Sequence, residues 1–283
     1  MLQENSIPSF GQSWIPVARH ITPGRRFFQD VGFQGMHVSC NERGNLVDRY
    51  SRQLIVPEIG EAGQEKLRRA HVLVAGVGGL GGLSSTYLCR AGIGTLTVVD
   101  GDCVEISDLN RQILYREQDI GEKKALLAKT RLSEMNGEVT LNAFDAQIEE
   151  VNVSQLLEGV QVVVDGTDNF RTRFLLNAAC HKRGIPYVYG GIYGFRGSVM
   201  TVIPGKTPCL ACLLNNKEET DSLIPAAGPL VGAIASIQAI EVLKLILHEG
   251  ESLGGRLLMM DGIKMRFRKF AVKRRKDCPV CSL

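Results

Sequence analysis

The chain has 283 residues, 44% of them hydrophobic, which is enough to bury the core of one large α/β domain or of one domain with appended pieces. Thirty-three Lys and Arg against 30 Asp and Glu leave a net charge of +3, too small to indicate nucleic acid or an anionic membrane as the default partner. The first thirty residues lack the continuous apolar core and small-residue cleavage site of a secretory signal, so a cytoplasmic protein is expected.

Two regions differ in their regularity. Residues 1–47 mix Gly, Pro, Arg and aromatic residues without periodicity, which predicts a poorly ordered or loosely attached N-terminal extension, or a partner-binding arm. From Asp48 to the C-terminus the pattern becomes regular. We therefore expect the folded domain to span residues 48–283.

The regular region alternates between strand and helix patterns. The alternation predicts a mostly parallel, doubly wound α/β sheet. Strands are predicted at 72–76, 95–100, 139–144 and 160–169, helices at 80–91, 122–136 and 169–182, and further strands at 185–192 and 197–205.

The pattern changes after Pro208. An irregular loop (215–225), a long helix (about 228–248) and two strands (256–261 and 264–272) are predicted there. The helix is strongly apolar but carries Gln238, Glu241 and Lys244 at helical spacing, which favours a buried amphipathic helix over a membrane span.

The sequence GVGGLG (76–81) joins the first predicted strand to the first helix. Gly76, Gly78 and Gly81 fit the G-x-G-x-x-G pattern, in which glycines allow a tight turn and let backbone amides approach a phosphate. Asp100 ends the next strand, where it could accept hydrogen bonds from ribose hydroxyls. This pattern alone fits either ATP or a nicotinamide dinucleotide.

Polar motifs at other strand ends favour ATP. DGDCVEISDLNRQ (100–112) supplies acids, Asn110 and Arg111, GEKK (121–124) supplies two lysines, and DGTDN (165–169) supplies an acid and an amide. Cations that neutralise phosphate charge, together with a carboxylate that holds Mg²⁺, suit a triphosphate. A nicotinamide site would instead need an apolar face for the ring.

Two Cys-x-x-Cys pairs lie in the last third of the chain. Their four cysteines are candidate metal ligands: Cys209, Cys212, Cys278 and Cys281. Four thiolates in two pairs match a tetrahedral, structural zinc site that would clip the C-terminal region to the domain. A redox pair and unconnected core cysteines are the alternatives.

Taken together, RYSRQ (49–53), GVGGLG, DGDCVEISDLNRQ, GEKK, TDN with Arg171 and Arg173, and the cysteine pairs resemble the ThiF/MoeB/HesA family, the bacterial relatives of ubiquitin-activating enzymes. The resemblance covers roughly residues 48–281, in order and at the expected spacing, and it favours zinc at the cysteines. It implies a Rossmann-like fold, ATP and Mg²⁺ as cofactors, and a homodimer.

Carried onto matching positions, the resemblance implies roles for individual residues. Arg111 and Lys124 would contact phosphates, Asp168 would hold Mg²⁺ with support from Asn169, and Arg52 would reach into the neighbouring subunit's site. Three of these assignments have a purely structural alternative. Lys124 could simply be a solvated lysine at a helix start, Asp168 and Asn169 could cap the following helix, and Arg52 could be an ordinary surface arginine. The full nucleotide-binding set comprises Gly76, Gly78, Gly79, Gly81, Asp100, Asp102, Ser107, Asp108, Asn110, Arg111, Lys124, Asp168 and Asn169.

Two departures from the family pattern bear on the chemistry. The family commonly has Ser-Asn-Leu where this chain has Ser-Asp108-Leu, and an extra carboxylate near a triphosphate costs Coulomb energy. Asp108 is therefore expected either to turn toward Mg²⁺ or to weaken nucleotide binding.

Relatives that form a covalent thioester or persulfide place a cysteine in the loop after the first cysteine pair. In this chain the segment 215–229 contains no cysteine and offers only Thr220 and Ser222 as nucleophiles. Three other cysteines are expected to pack in the core: Cys89, Cys103 and Cys180.

The resemblance implies an adenylyltransferase that activates the Gly-Gly carboxylate of a small ubiquitin-like sulfur-carrier protein and releases pyrophosphate. Chemistry is expected to stop at the acyl adenylate, with sulfur delivered by a sulfurtransferase or cysteine desulfurase. A same-family enzyme for a peptide or tRNA-base carboxyl or amide, an NAD(P)-dependent oxidoreductase and an inactive scaffold are the alternatives. Eight basic residues in 264–276 predict either a solvated edge strand or a docking surface for an acidic partner.

Overall fold

A computed structural model describes residues 49–214 and 224–282. The expected N-terminal extension and nearly all of the loop predicted at 215–225, with Thr220 and Ser222, lie outside the described residues. The predicted extents of these two segments therefore stay predictions.

The described residues fold around an eight-stranded sheet with the order β3-β2-β1-β4-β5-β6-β7-β8. The first five strands of this order are parallel, and β5 to β8 continue the sheet with antiparallel pairings. The prediction of a mostly parallel sheet is confirmed. The strands are β1 (His71–Ala75), β2 (Thr95–Val99), β3 (Thr140–Phe144), β4 (Val162–Asp165), β5 (Tyr187–Tyr193), β6 (Arg196–Val202), β7 (Arg256–Asp261) and β8 (Arg266–Ala271).

Helices cover both faces of the sheet, as the doubly wound pattern predicts. They are α1 (Ser51–Leu54), α2 (Gly60–Arg69), α3 (Gly79–Ala91), α4 (Lys124–Met135), α5 (Val153–Leu156), α6 (Phe170–Arg183), α7 (Leu210–Leu214) and α8 (Gly228–Leu247).

Alternate residues of the central strands enter two separate cores. Val72 and Val74 of β1 pack in the core that contains α3, α4 and α8, whereas Leu73 and Ala75 pack in the core that contains α5, α6 and α7. Both sets of side chains are fully buried, which explains why the sequence of β1 is a continuous apolar run.

Helix α8 is long and apolar enough to cross a membrane by length and composition, but half of its most apolar window is buried inside the fold. Its polar side chains bind the sheet: Gln238 donates to the Asp165 carbonyl of β4 at 2.8 Å, and Glu241 accepts from the Thr201 hydroxyl of β6 at 2.5 Å. These contacts identify α8 as the core helix that the sequence predicts.

Helices α1 and α2 were not predicted, because their sequences lack a wide apolar stripe. The segment is held by polar contacts at the C-terminal end of α3. Gln53 and Gln64 both donate to the Ala91 carbonyl, and the Tyr50 ring fills the space beside Gly92 that a side chain would otherwise occupy.

Candidate active site and cysteine cluster

The glycine loop lies between β1 and α3 at the carboxyl ends of the parallel strands. Gly76 adopts a positive φ of 78°, which allows the tight turn. A Cβ on Gly81 would lie 1.8 Å from the Gly76 carbonyl oxygen, so glycine is required there for close packing of helix and strand. A Cβ on Gly166, after β4, would lie 2.5 Å from the same oxygen. The DGTDN motif and the glycine loop are thus adjacent.

Asp100 fixes the glycine loop to the end of β2. One carboxylate oxygen accepts the Val77 amide at 2.8 Å, and the other accepts the Asp102 amide at 2.9 Å. Burial raises the pKa of the Asp100 carboxyl, an effect that these two amides oppose. Asp100 therefore orders the loop directly, and its contact with a ribose stays a prediction.

Asp108 lies between the two cations that the sequence predicts to contact phosphates. Its Oδ2 lies 3.1 Å from the Lys124 ammonium, and its Oδ1 lies 3.4 Å from the Arg111 guanidinium. The Asp102 carboxylate lies 3.9 Å from Lys124. The two cations predicted to contact phosphates therefore converge, and they do so around the carboxylate that departs from the family pattern.

Hydrogen bonds to neighbouring residues hold the Arg111 guanidinium next to Asp108. Arg111 donates to the Ser107 carbonyl at 2.7 Å and to the Asn110 side-chain oxygen at 3.2 Å. Lys123, the other lysine of GEKK, instead faces Asp145 at 3.3 Å on the surface. Of this lysine pair, Lys124 is the one that the fold brings to Asp108.

Gln112 was not singled out from the sequence, although it directly follows Arg111. It is 5% exposed, and its amide nitrogen donates to Asp108 at 2.6 Å. Its Oε1 has no hydrogen-bond partner among the described residues. The side chain lies 3.4 Å from where a Cβ on Gly78 would stand, beside the second glycine of the loop. The Gln112 amide group therefore links Asp108 to the second glycine of the loop.

The loop after β4 presents Asp168 to solvent. Asn169 caps α6, because its side-chain oxygen accepts the Thr172 amide at 2.8 Å. Asn169 therefore does cap the helix, and its support of a metal held by Asp168 stays a prediction. Asp168 is left as the exposed carboxylate beside the glycine loop.

A buried ion pair supports this loop from below. Arg173 lies 3.3 Å from Asp165, stacks on Tyr189 and donates to the Thr167 carbonyl at 2.6 Å. Asp165 also accepts the Tyr187 hydroxyl at 2.6 Å. Burial lowers the pKa of Arg173, but the combined effect of Asp165, Tyr189, Tyr187 and Asp168 is larger and raises the pKa overall. The sequence analysis mentioned Arg173 only as part of the motif around TDN. The burial of Arg173 could not be predicted, because it depends on contacts that the sequence pattern does not show.

The N-terminal end of α8 completes the site, a contribution that the sequence did not predict. A Cβ on Gly228 would lie 2.7 Å from the Asn110 carbonyl oxygen, and a Cβ on Gly79 would lie 2.8 Å from Val231. Gly79 thus faces α8, and its lack of a side chain is explained by helix packing.

Cys209, Cys212, Cys278 and Cys281 form a cluster whose four sulfur atoms lie within 4.8 Å of one another. The closest pairs are 3.3 and 3.5 Å apart, and all four cysteines are free thiols. A tetrahedral zinc with Zn–S bonds of ~2.3 Å needs sulfurs about 3.8 Å apart. The donor set and spacing therefore fit zinc, and they bring together the two pairs that the sequence predicted would converge.

Neighbouring groups orient these thiols. Asn177 of α6 accepts the Leu210 amide at 2.9 Å, and its hydrogen bond to Cys209 lowers the pKa of that thiol, although burial raises it overall. Burial also raises the pKa of Cys278, but hydrogen bonds from the Cys281 and Val280 amides, together with those to the Cys209 and Cys281 side chains, lower it overall to about 7. Amide donors that favour thiolates are typical of the outer shell of a metal site.

A model of the ThiF family matches residues 50–280. The chain belongs to the ThiF family. The resemblance inferred from the motifs is confirmed.

Several named proteins are similar to this ThiF-family chain. It is 42% identical to the SAMP-activating enzyme E1 of Haloferax volcanii over 83% of this chain and 88% of that protein. It is 41% identical to the sulfur carrier protein adenylyltransferase of Thermus thermophilus, over 83% and 90% of the two chains. It is 39% identical to the adenylyltransferase and sulfurtransferase MOCS3 of Culex quinquefasciatus, of which it spans 56%.

The fold is shared with solved structures. The crystal structure of E. coli MccB with MccA-N7isoASN superposes with a TM-score of 0.72 at 23% identity, over 85% of this chain and 76% of that one. E. coli MccB with ATP superposes with a TM-score of 0.71 at 24% identity, over 84% and 75%. These similarities show that the ThiF-family chain has the same fold.

Arg52 is not brought to the site of its own chain. It is exposed on α1, which packs at the C-terminal end of α3, whereas the glycine loop is at the other end. The 13 residues of α3 span about 20 Å. Any contact of Arg52 with a nucleotide would therefore have to be made in another subunit.

The remaining described cysteines of this ThiF-family protein pack as predicted or lie partly exposed. Cys89 and Cys180 are buried, and burial raises their pKa values to about 11 and about 12. Both are therefore protonated at neutral pH. Cys103 is only half-buried, so the expectation that it packs in the core is wrong for this cysteine.

The basic segment forms the edge of the sheet. All residues of β8 are exposed, and among the described residues β8 pairs with β7 alone, so the segment contains an exposed edge strand. Arg274 is tied back to the carbonyl of Thr207 at 3.2 Å, next to the first cysteine pair. Docking of an acidic partner along this edge stays a prediction.

Proposed function

We propose that this protein is an ATP-dependent adenylyltransferase that activates the C-terminal carboxylate of a small ubiquitin-like sulfur-carrier protein ending in Gly-Gly. One structural observation carries the proposal: Arg111, Lys124 and the loop after β4 that carries Asp168 lie together beside the glycine loop. The chain is also about 40% identical to two proteins named for activating carriers. The names of those relatives supply the substrate class.

In the proposed reaction a carboxylate oxygen of the carrier attacks the α-phosphorus of ATP. The bond from that phosphorus to the bridging oxygen breaks, pyrophosphate leaves, and the carrier acyl adenylate remains. No nucleophile of the protein is required, so positioning and charge neutralisation do the catalysis. Arg111 and Lys124 would neutralise the phosphates, and Asp100 would bind the ribose with the carboxylate lone pairs that its two amide bonds leave free.

Mg²⁺ would be held by Asp168. The carboxylate is exposed at the carboxyl end of β4 beside the glycine loop, and a hard, oxygen-only donor of this kind suits Mg²⁺ with water and phosphate ligands. When bound, the ion supplies positive charge to the leaving pyrophosphate. The cysteine cluster would hold a structural Zn²⁺, because four thiolates leave no open coordination position.

Sulfur would be delivered by a second protein, a sulfurtransferase or a cysteine desulfurase. Cys89 and Cys180 are buried and protonated, and four other thiols belong to the proposed zinc site. The described residues therefore offer Cys103 as the remaining partly exposed thiol. Cys103→Ser should leave adenylation unchanged.

ATP–pyrophosphate exchange tests the proposal. Purified protein is assayed with Mg²⁺ and a panel of Gly-Gly-ending carriers, each with a matched carrier that lacks the last glycine. Exchange that requires one intact carrier is expected. ATP binding without exchange for any carrier would contradict the substrate class, and binding of NADH in place of ATP would contradict the family chemistry.

We further propose that the protein works as a homodimer in which Arg52 completes the neighbouring site. The outer face of α8 supports this, because Ile240 is 53% exposed and Ile237 and Leu243 are only partly buried. Tyr87 on the adjoining α3 is 50% exposed. An apolar surface of this kind suits an isologous interface between two copies.

Mixing two inactive variants tests this arrangement. Arg52→Ala and Lys124→Ala are unfolded and refolded together, so that about half of the dimers contain one of each and hold one intact site. Exchange activity should recover to about one quarter of wild type. If Arg52 acts within its own subunit, every site in the mixture is defective and no activity returns.

A further inference from the structure

Asp108 has a buried carboxylate whose hydrogen-bond and ion-pair partners within the described part of the chain are donors and cations. Its side chain is 7% exposed, and that of Lys124 is 9% exposed. Oδ2 accepts the Glu105 amide at 3.0 Å and faces Lys124, while Oδ1 accepts Gln112 at 2.6 Å and faces Arg111. The Asp108 carboxylate thus makes the contacts with both cations that phosphate oxygens would make.

We propose that Asp108 is an internal counter-ion that stands in for phosphate when the nucleotide site is empty, and that it sets the affinity for ATP by competing with the triphosphate for Lys124 and Arg111. The proposal rests on the proposed function, because it takes ATP as the ligand. It makes Asp108 a positioning residue that acts through the two cations.

The physical argument begins with the burial of Lys124. A buried ammonium without a counter-ion is strongly unfavourable, and the other carboxylate near it, Asp102, lies 3.9 Å away and is largely exposed. Asp108 therefore stabilises the empty protein. A triphosphate carries the same sign of charge as Asp108, so binding requires Lys124 and Arg111 to turn from carboxylate to phosphate while the carboxylate stays close. The same pairing that stabilises the empty site weakens ATP binding.

Gln112 makes the exchange of partners possible. Its Nε2 stays on Asp108, so the carboxylate keeps hydrogen-bond donors from Gln112 and Glu105 after the cations turn away. Asp108 therefore keeps these two hydrogen bonds both in the empty site and in the ATP-bound site. A ligand of Mg²⁺ would need an open lone pair toward the metal, whereas both Asp108 oxygens face protein donors.

The test compares Asp108→Asn with wild type. Calorimetric titration with ATP, with and without Mg²⁺, should show that the variant binds ATP at least about tenfold more tightly than wild type. Removing one like charge a few ångströms from a phosphate is expected to have an effect of this size. AMP should gain less than ATP, and adenosine should bind equally to both proteins. The melting temperature of the ligand-free variant should fall, because Lys124 loses its counter-ion.

Asp145→Asn is the matched control. It removes the carboxylate that pairs with the adjacent lysine, Lys123, at 3.3 Å on the surface. Neither ATP affinity nor the melting temperature should change appreciably. Equal ATP affinity in wild type and Asp108→Asn would overturn the proposal, and weaker MgATP binding in the variant would show that Asp108 is a metal ligand instead. Failure of wild type to bind ATP at all would instead remove the proposed function itself.

Lys124→Gln tests the pairing from the other side if Asp108→Asn does not fold. It should lower both the melting temperature of the empty protein and the affinity for ATP. An unchanged melting temperature would show that Lys124 is not stabilised by Asp108 in the empty state, and the proposal would fail.

Discussion

The Arg173 guanidinium donates to the Thr167 carbonyl at 2.6 Å and thereby ties α6 to the loop that carries Asp168. The same guanidinium lies 3.3 Å from the fully buried Asp165. Arg173→Met should cost about 3–5 kcal/mol of unfolding free energy, because it leaves a buried carboxylate without its counter-ion. Urea denaturation measures this loss. Lys182→Met, on the exposed face of the same helix, is the control, and an equal loss in both variants would contradict the assignment.

Gly81→Ala should destabilise the fold by about 3 kcal/mol or more, because the added Cβ would overlap the Gly76 carbonyl oxygen. ATP binding should weaken as well, since the glycine loop must move. Gly137→Ala is the matched control: its Cβ would meet nothing within 4 Å, and stability should change by less than about 1 kcal/mol. Thermal melting and ATP titration measure both effects. Normal ATP affinity in Gly81→Ala would show that the loop does not hold the nucleotide.

Asp168→Ala should reduce carrier-dependent ATP–pyrophosphate exchange by about 100-fold or more, because the metal that stabilises the leaving group loses its ligand. The melting temperature should stay close to wild type, since the side chain is exposed. Glu158→Ala, another exposed carboxylate, is the control and should keep full activity. Near-normal exchange by Asp168→Ala at limiting Mg²⁺ would contradict the metal assignment.

The sequence predicted those parts of the fold whose signals are local. Strand β1 contains a continuous apolar run at 72–75, and Gly76 and Gly81 each have a local steric reason to be glycine, so β1, the loop and α3 were predictable to within a residue or two. The cysteine pairs were predictable for the same reason, because the Cys-x-x-Cys spacing is itself the chelating geometry.

The features that the sequence did not predict depend on contacts across the fold. The short helix α1 is held by Gln53 and Tyr50 against the end of α3, which no apolar periodicity indicates. The N-terminal end of α8 reaches Asn110 from more than a hundred residues away. The sequence raised the charge of Asp108 as a difficulty, but its partners became apparent only when the fold placed Lys124 3.1 Å from it.

Zinc content is expected to be one ion per chain. Cys278→Ser should lower the zinc content and the melting temperature together, because metal binding and folding are coupled in such sites. Asn177→Ala should weaken zinc retention against a chelator by about tenfold, since Asn177 holds the Leu210 amide and faces Cys209. Cys103→Ser, outside the cluster, should keep the wild-type zinc content. Full zinc retention by Cys278→Ser would contradict four-cysteine ligation.

Stability should fall as the pH rises above about 9, because burial raises the pKa of Cys180 from 9.0 to about 12. Below pH 9 the thiol is protonated in both the folded and the unfolded chain, so its contribution to stability is fully present. Between these two pKa values the unfolded chain loses the proton while the folded chain keeps it, which favours unfolding. The unfolding free energy, measured by urea titration from pH 8 to pH 11, should therefore decline less steeply in Cys180→Ala and Cys180→Val than in wild type. The two variants serve as mutual controls, since they differ in size and in stability at pH 8 but must share the shallower slope. A wild-type slope in both would show that Cys180 ionises normally within the fold.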